Sequence, residues 1–217
     1  MAAPSNNLTL STSSPSSHSA ASALVDPSQP VISHSTREDV PEILAMIYEL
    51  ADYEHAASSV QATEETLLST LRFAPAPGLP PTPTPNTYAT TFILRAPSPH
   101  DPSTLAVAGM ALYFNNYSTW RSAPGVYLED LYVRPAFRKS GYGKLLIKAL
   151  AAECKRVGGG RVEWCCLRWN ENSLAFYRSL GAVEMQDWVT LRLDGEALDK
   201  MAEGAKGALV NGGEVPK

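Results

Sequence analysis

The sequence predicts one mixed α/β domain, on three observations. Strand-type and helix-type periodicities alternate along the chain, one strand runs through a glycine turn directly into a helix, and the length suits a single core. At 217 residues there is room for one domain of ordinary size, not for two substantial ones. The predicted order is βααβββαβαβ, within residues 30–203.

Residues 1–29 are dominated by Ser, Ala, Pro and Asn, which bury too little apolar surface to offset the entropy of ordering, so a disordered leader is expected. Residues 204–217 are Gly-rich and aperiodic and are expected to form a flexible tail.

The elements follow in order. A short extended piece, Val31–His34, precedes a helix whose N-cap is Thr36, with Glu38 and Asp39 in its first turn and Ile43, Ile47, Leu50 and Ala51 as its buried stripe. Thr63, Glu64 and Glu65 open a second short helix carrying Leu67, Leu68 and Leu71, which the Pro-dense segment 75–85 must end. Tyr88–Arg95 and Leu105–Phe114 read as an antiparallel pair and 125–133 as a third strand. From Gly141 to Val157 the pattern is helical, with Leu146, Leu150, Cys154 and Val157 on one face. A strand at 161–167, a helix at 171–180 stopped by Gly181 and a last strand at 188–193 complete the prediction.

Composition excludes several function classes. A net charge of −4, from 18 basic and 22 acidic residues, provides no positive field for nucleic acid or an anionic membrane. No apolar run approaches a bilayer span, and the N-terminus lacks the pattern of a secretory signal. The three cysteines, Cys154, Cys165 and Cys166, lack metal-ligand spacing, so no metal is expected. A reduced, cytoplasmic setting is expected, with the nucleus open.

Two stretches carry chemistry. In VYLEDLYVRPAFRKSGYGKLLIKAL a strand leads through R-x-x-G-x-G (Arg138, Gly141, Gly143) into a helix. Glycine lets backbone approach a ligand closely, and the free N–H groups and dipole of a helix N-terminus suit a pyrophosphate; Arg138 and Lys144 add charge. A Rossmann dinucleotide site is the rival, but a third glycine is missing: Lys144 follows the second. In WNENSLAFYRSLGA, Asn170, Ser173 and Tyr177 share one side of a helix. Each also suits a structural role: Asn170 as N-cap, Ser173 as first-turn filler, Tyr177 as core aromatic.

Together, in this order and separated by one helix and one strand, the two stretches resemble the acetyl-CoA-binding core of the GNAT superfamily, whose fold is a mixed, mostly antiparallel sheet flanked by helices. In that family V-x-P-x-x-R-x-x-G-x-G, here Val133, Pro135, Arg138, Gly141 and Gly143, wraps the CoA pyrophosphate while the preceding strand pairs with pantetheine. The resemblance implies acetyl-CoA contacts from Leu131, Tyr132 and Val133, from Arg138, Lys139, Ser140, Gly141, Tyr142, Gly143 and Lys144, and from Asn170 and Ser173. It also makes Tyr177 the general acid that protonates the CoA thiol.

Within the superfamily the chain resembles the spermidine/spermine and thialysine N-acetyltransferase group, through ELADYEH (49–55), YLEDLYV (127–133) and WNENSLAFYRSLGA. That likeness implies amine contacts from Tyr53, Glu54, Glu129 and Asp130, a base role for Glu129, and a homodimer. On a regular strand Glu129 and Asp130 alternate, so one at most faces the cleft. Two features depart from the group: Gly181–Trp188 is short, with Gln186 where the polyamine enzymes use an acid, and the Pro-rich loop 74–87 is long. The acceptor amine therefore stays open between a diamine or polyamine, a thialysine-like amino acid, and a protein lysine or N-terminus. A non-catalytic CoA-binding scaffold is the alternative of another class.

Overall fold

The computed structural model describes residues 26–204; most of the predicted leader and nearly all of the predicted tail lie outside them. It divides into two compact units, one ending at Cys165 and one beginning at Cys166.

The first unit is a six-stranded mixed sheet between helices. Its strands are β1 (Val31–His34), β2 (Leu71–Arg72), β3 (Ala89–Pro97), β4 (Leu105–Ser118), β5 (Ala123–Val133) and β6 (Val162–Glu163). They lie in the order β1-β3-β4-β5-β6, with β2 extending the β1 edge alongside β3. The β1–β3, β3–β4 and β4–β5 pairs are antiparallel; β2–β3 and β5–β6 are parallel.

Alternation along the strands supplies two cores. Phe92, Leu94, Val126 and Leu128 pack with Leu146, Leu150 and Cys154 of α3 (Tyr142–Arg156). Ile93, Met110, Leu112 and Tyr132 pack on the other face with Val40, Ile43 and Met46 of α1 (Val40–Tyr53) and Leu67 of α2 (Glu64–Thr70). Of the predicted α1 stripe Ile43 is buried and Ile47 and Leu50 partly so, with Val40 and Met46 as further buried members; on α3, Leu146, Leu150 and Cys154 are buried together with Glu153.

Polar groups anchor the frame. The Asp39 carboxylate accepts from the Thr36 N–H at 2.9 Å and pairs with Arg95, fixing the start of α1 to β3. His34 Nε2 lies 3.1 Å from the Tyr113 hydroxyl, and the buried Glu153 accepts from Arg156 at 2.6 and 2.7 Å.

Several expectations are corrected. α2 ends at Thr70 by passing into β2, ahead of the prolines. The Pro-rich loop is tied back by Thr82 N–H to the Phe73 carbonyl (3.2 Å) and by Arg72 to the Thr87 carbonyl (3.1 Å). It lines a groove with Arg37, Leu68 and Phe73. The strand expected at 161–167 is only Val162–Glu163, and Cys165, inside the expected range, lies outside the strand and is exposed.

The second unit holds α4 (Glu171–Ser179) and α5 (Gly195–Glu203), the latter absent from the sequence prediction. The predicted strand 188–193 does not form: Trp188, Val189, Leu191 and Leu193 are exposed and outside any ladder. Alternation qualifies a segment as a strand, but only a neighbouring strand takes its backbone groups. Among the described residues no helix is long and apolar enough to cross a membrane.

Candidate active site

The site begins where β5 ends. Pro135–Phe137 forms a short helical turn, and α3 starts after Gly141, whose φ of +81° is left-handed. Lys139 is also left-handed, at +66°, a conformation that costs a non-glycine residue energy and clusters at functional turns. The first bond of α3 runs from the Leu145 N–H to the Gly141 carbonyl, 3.0 Å. The N–H groups of Tyr142, Gly143 and Lys144 therefore leave the helix without a helical acceptor, beside the exposed Ser140. A Cβ at Gly141 would meet nothing within 4 Å, so the cradle is open to an anion.

The adjoining strand edge is open too. β6 pairs with β5 only at Val126 and Tyr127. Beyond that, among the described residues, Leu131, Tyr132 and Val133 are paired on one side alone, with Ala111, Met110 and Gly109 of β4. An open edge of backbone donors and acceptors takes an extended amide chain as another strand, which suits pantetheine.

On the α1 side, the strand carries an irregularity that sequence reasoning missed. Asp130 lies opposite Leu112 and Leu128 opposite Tyr113, so Glu129 is an extra residue without a partner on β4. Leu128 and Leu131 consequently pack into the same layer, where an unbroken strand would separate them. Glu129 and Asp130 are thereby released from the strict alternation on which the expectation of one cleft-facing carboxylate rested.

Asp130 is half-buried, and its pKa is pushed up to about 6, first by partial removal from water and then by the negative charges of Glu129 and Glu54. Burial also raises Glu54, which caps α1 just before the left-handed His55 (φ 58°). Glu129 is exposed. Among the described residues none of these three carboxylates has a hydrogen-bond or ion-pair partner.

Among the described residues the neighbouring arginines do not pair with these carboxylates. Arg134 pairs with Glu42 (2.8 Å) and Glu49 (3.0 Å) of α1 and donates to the Val107 carbonyl (3.2 Å). Arg138 donates to the Val133 carbonyl (2.9 Å). Its guanidinium lies 5.8 Å from the centroid of the Tyr53 ring and 5.7 Å from that of Tyr132. A turn residue expected to serve the donor thus also touches the expected acceptor residue Tyr53.

The remaining expected residues belong to the second unit. Asn170 is buried and caps α4, its Oδ1 accepting from the Ser173 N–H at 3.2 Å. The structural role anticipated for it is therefore present. Tyr177 is half-buried on α4, its ring 5.2 Å from that of Phe176.

A mixed sheet that parts beside β5, a glycine turn opening α3 at the end of that strand, and a carboxylate group along it define an acyl-CoA-type transferase. The sequence pattern of the acetyltransferase (GNAT) family matches residues 49–182, and the chain belongs to that family. It is 33% identical to an L-ornithine N5-acetyltransferase of Arabidopsis thaliana, over 76% of this chain and 84% of the relative. It is 34% identical to a thialysine N-epsilon-acetyltransferase of Bos taurus, over 79% and 96%. Among solved structures, an integron cassette protein of V. cholerae shares the fold, with a TM-score of 0.61 at 20% identity over 80% of this chain and 98% of that one.

Proposed function

We propose that this chain transfers the acetyl group of acetyl-CoA to the primary amine of a small cationic molecule, by direct attack of the amine on the thioester. The observation that carries this reading is the group Glu54, Glu129 and Asp130, unpaired by any protein cation and set beside the open edge of β5. Relatives named for ornithine and thialysine support it, since both are amino acids with a side-chain amine.

An alkylamine has a pKa of about 10.4 and arrives protonated, so a carboxylate of the Glu129–Asp130 pair must remove a proton; the resemblance assigns that role to Glu129. The N–H groups of α3's first turn and Arg138, Lys139 and Lys144 hold the CoA phosphates. Leu131, Tyr132 and Val133 take pantetheine through their backbone. The carbonyl oxygen gains charge during attack, and backbone N–H groups near Leu131–Val133 stabilise it. The resemblance assigns Asn170 and Ser173 to CoA binding and Tyr177 to protonating the departing thiolate. No step needs a metal or an acetyl-cysteine.

We further infer a homodimer acting in the cytoplasm. The resemblance implies the pairing, and the exposed Trp188, Val189, Leu191 and Leu193 supply apolar surface for it. Light scattering that finds only monomer at micromolar concentration would remove it.

The decisive experiment for the activity is thiol release from acetyl-CoA with L-ornithine, thialysine, spermidine and tyramine, each product confirmed by mass. Amine-dependent CoA release with an acetylated product is expected for at least one of them. Acetyl-CoA binding without transfer to any amine would leave a CoA-binding scaffold.

A further inference from the structure

The two adjacent carboxylates of β5 are not equivalent. Glu129 is the extra residue of the bulge, lacks a partner on β4 and is exposed, whereas Asp130 stays in register opposite Leu112 and is half-buried. Asp130 has no hydrogen-bond or ion-pair partner among the described residues. The charged groups acting on it are Glu129 on its own strand and Glu54 at the end of α1. Arg134 is held by Glu42 and Glu49, and Arg138 is bound to the Val133 carbonyl. A half-buried carboxylate in register, flanked by two like charges and left without a counter-ion, is one that gains from taking up a proton.

We propose that Asp130 is the residue that takes the proton from the amine substrate, with Glu129 and Glu54 as fixed negative charges that attract the cation and tune Asp130. The assignment rests on the acetyltransferase reading and sharpens it. The ammonium N–H bond breaks and its proton moves to an Asp130 oxygen. The freed nitrogen lone pair forms the C–N bond to the acetyl carbon, and the C–S bond breaks with its electrons on sulfur. The second proton lost by nitrogen matches the one the thiolate gains. Asp130 then releases its proton to solvent past the exposed Glu129, and the overall reaction yields amide, CoA thiol and one proton.

Asp130 rises from the ordinary 3.8 to about 6, which makes it about a hundredfold better proton acceptor while it remains mostly ionised at pH 7.

The test is the pH profile of kcat/KM with L-ornithine, thialysine and spermidine for the full-length wild type, D130N, E129Q and E54Q. The wild type is expected to lose activity on acidification along a limb centred near pH 6. E129Q and E54Q keep that limb but move it to lower pH, because a neighbouring negative charge has gone. D130N lacks the limb and is slower by at least about 100-fold, with the acetyl-CoA-induced rise in melting temperature intact. A limb that survives in D130N and vanishes in E129Q overturns the assignment and returns the base role to Glu129. A wild type that binds acetyl-CoA and acetylates no amine sinks the acetyl-transfer reading itself, and the assignment with it.

A second measurement needs no turnover. A carboxyl whose folded pKa is raised binds protons more tightly folded than unfolded, so its ionisation lowers stability progressively from about pH 4 to pH 6 and keeps it lower above. D130N should therefore melt higher than wild type at pH 8 and gain nothing at pH 4. Parallel melting curves across that range would also overturn the proposal.

Discussion

Gly109 on β4 lies hard against Tyr132 on β5: a Cβ at position 109 would collide with the Tyr132 carbonyl oxygen and sit 3.1 Å from the Val133 Cα. Both obstacles are backbone, so no side-chain rotation relieves them. Gly109→Ala is expected to push β5 outward at the stretch facing the donor. It should lower stability by about 1–3 kcal/mol and weaken acetyl-CoA binding, read as a lower melting temperature and a smaller acetyl-CoA-induced shift. An unchanged pair of values would mean that the strands part without cost.

Gly141 behaves oppositely, since a side chain there meets nothing within 4 Å. Its requirement is conformational: φ is +81°, which costs an L-residue about 1–2 kcal/mol. Gly141→Val should therefore disturb the turn more than the core and abolish acetyl-CoA-induced thermal stabilisation. Retention of the full shift would remove the turn from the donor site.

Tyr177→Phe separates an acid from a packing ring. The Phe variant keeps the contact with Phe176 and is expected to keep its melting temperature and acetyl-CoA affinity. Its kcat should fall by at least about 10² under saturating substrate, the usual worth of general acid catalysis. Near-normal kcat would confine Tyr177 to packing.

The network beneath β1 predicts an acid-sensitive frame. Arg156's hydrogen bonds hold Glu153 below the ordinary carboxylate range against the opposing effect of burial, with the charges of Arg156 and His34 adding. Burial holds His34 below its ordinary 6.5. The carboxylate's stabilisation is present above its unfolded pKa and is lost as pH falls through the lower folded one; a histidine buried neutral loses stability as pH drops below 6.5. Both effects have the same sign. Glu153→Gln should flatten the fall in melting temperature below about pH 4.5, and a fall as steep as the wild type's would exclude Glu153 as its source.

Much of this was legible in the sequence because it is local. Strand alternation, the helix faces at Ile43 and Leu146, the glycine turn and the Asn170 cap each depend on residues a few positions apart. The bulge at Glu129 was not, since register exists only relative to β4, and neither was the need for glycine at 109, which arises from a partner strand's carbonyl. The absent strand at 188–193 is the converse case, a correct local pattern to which no neighbour supplies a ladder. Arg134 escaped notice because its partners, Glu42 and Glu49, lie 92 and 85 positions away along the chain.

Those two glutamates sit seven residues apart, two helical turns or roughly 10 Å along α1, and one guanidinium reaches both. A rod held at two points cannot pivot, so α1 keeps its tilt relative to β5 and delivers Tyr53 and Glu54 to a constant place. Divergence of acceptor preference among relatives that keep this clamp must then come from exchanging the side chains at the helix end, because reorienting the helix would first require breaking both ion pairs.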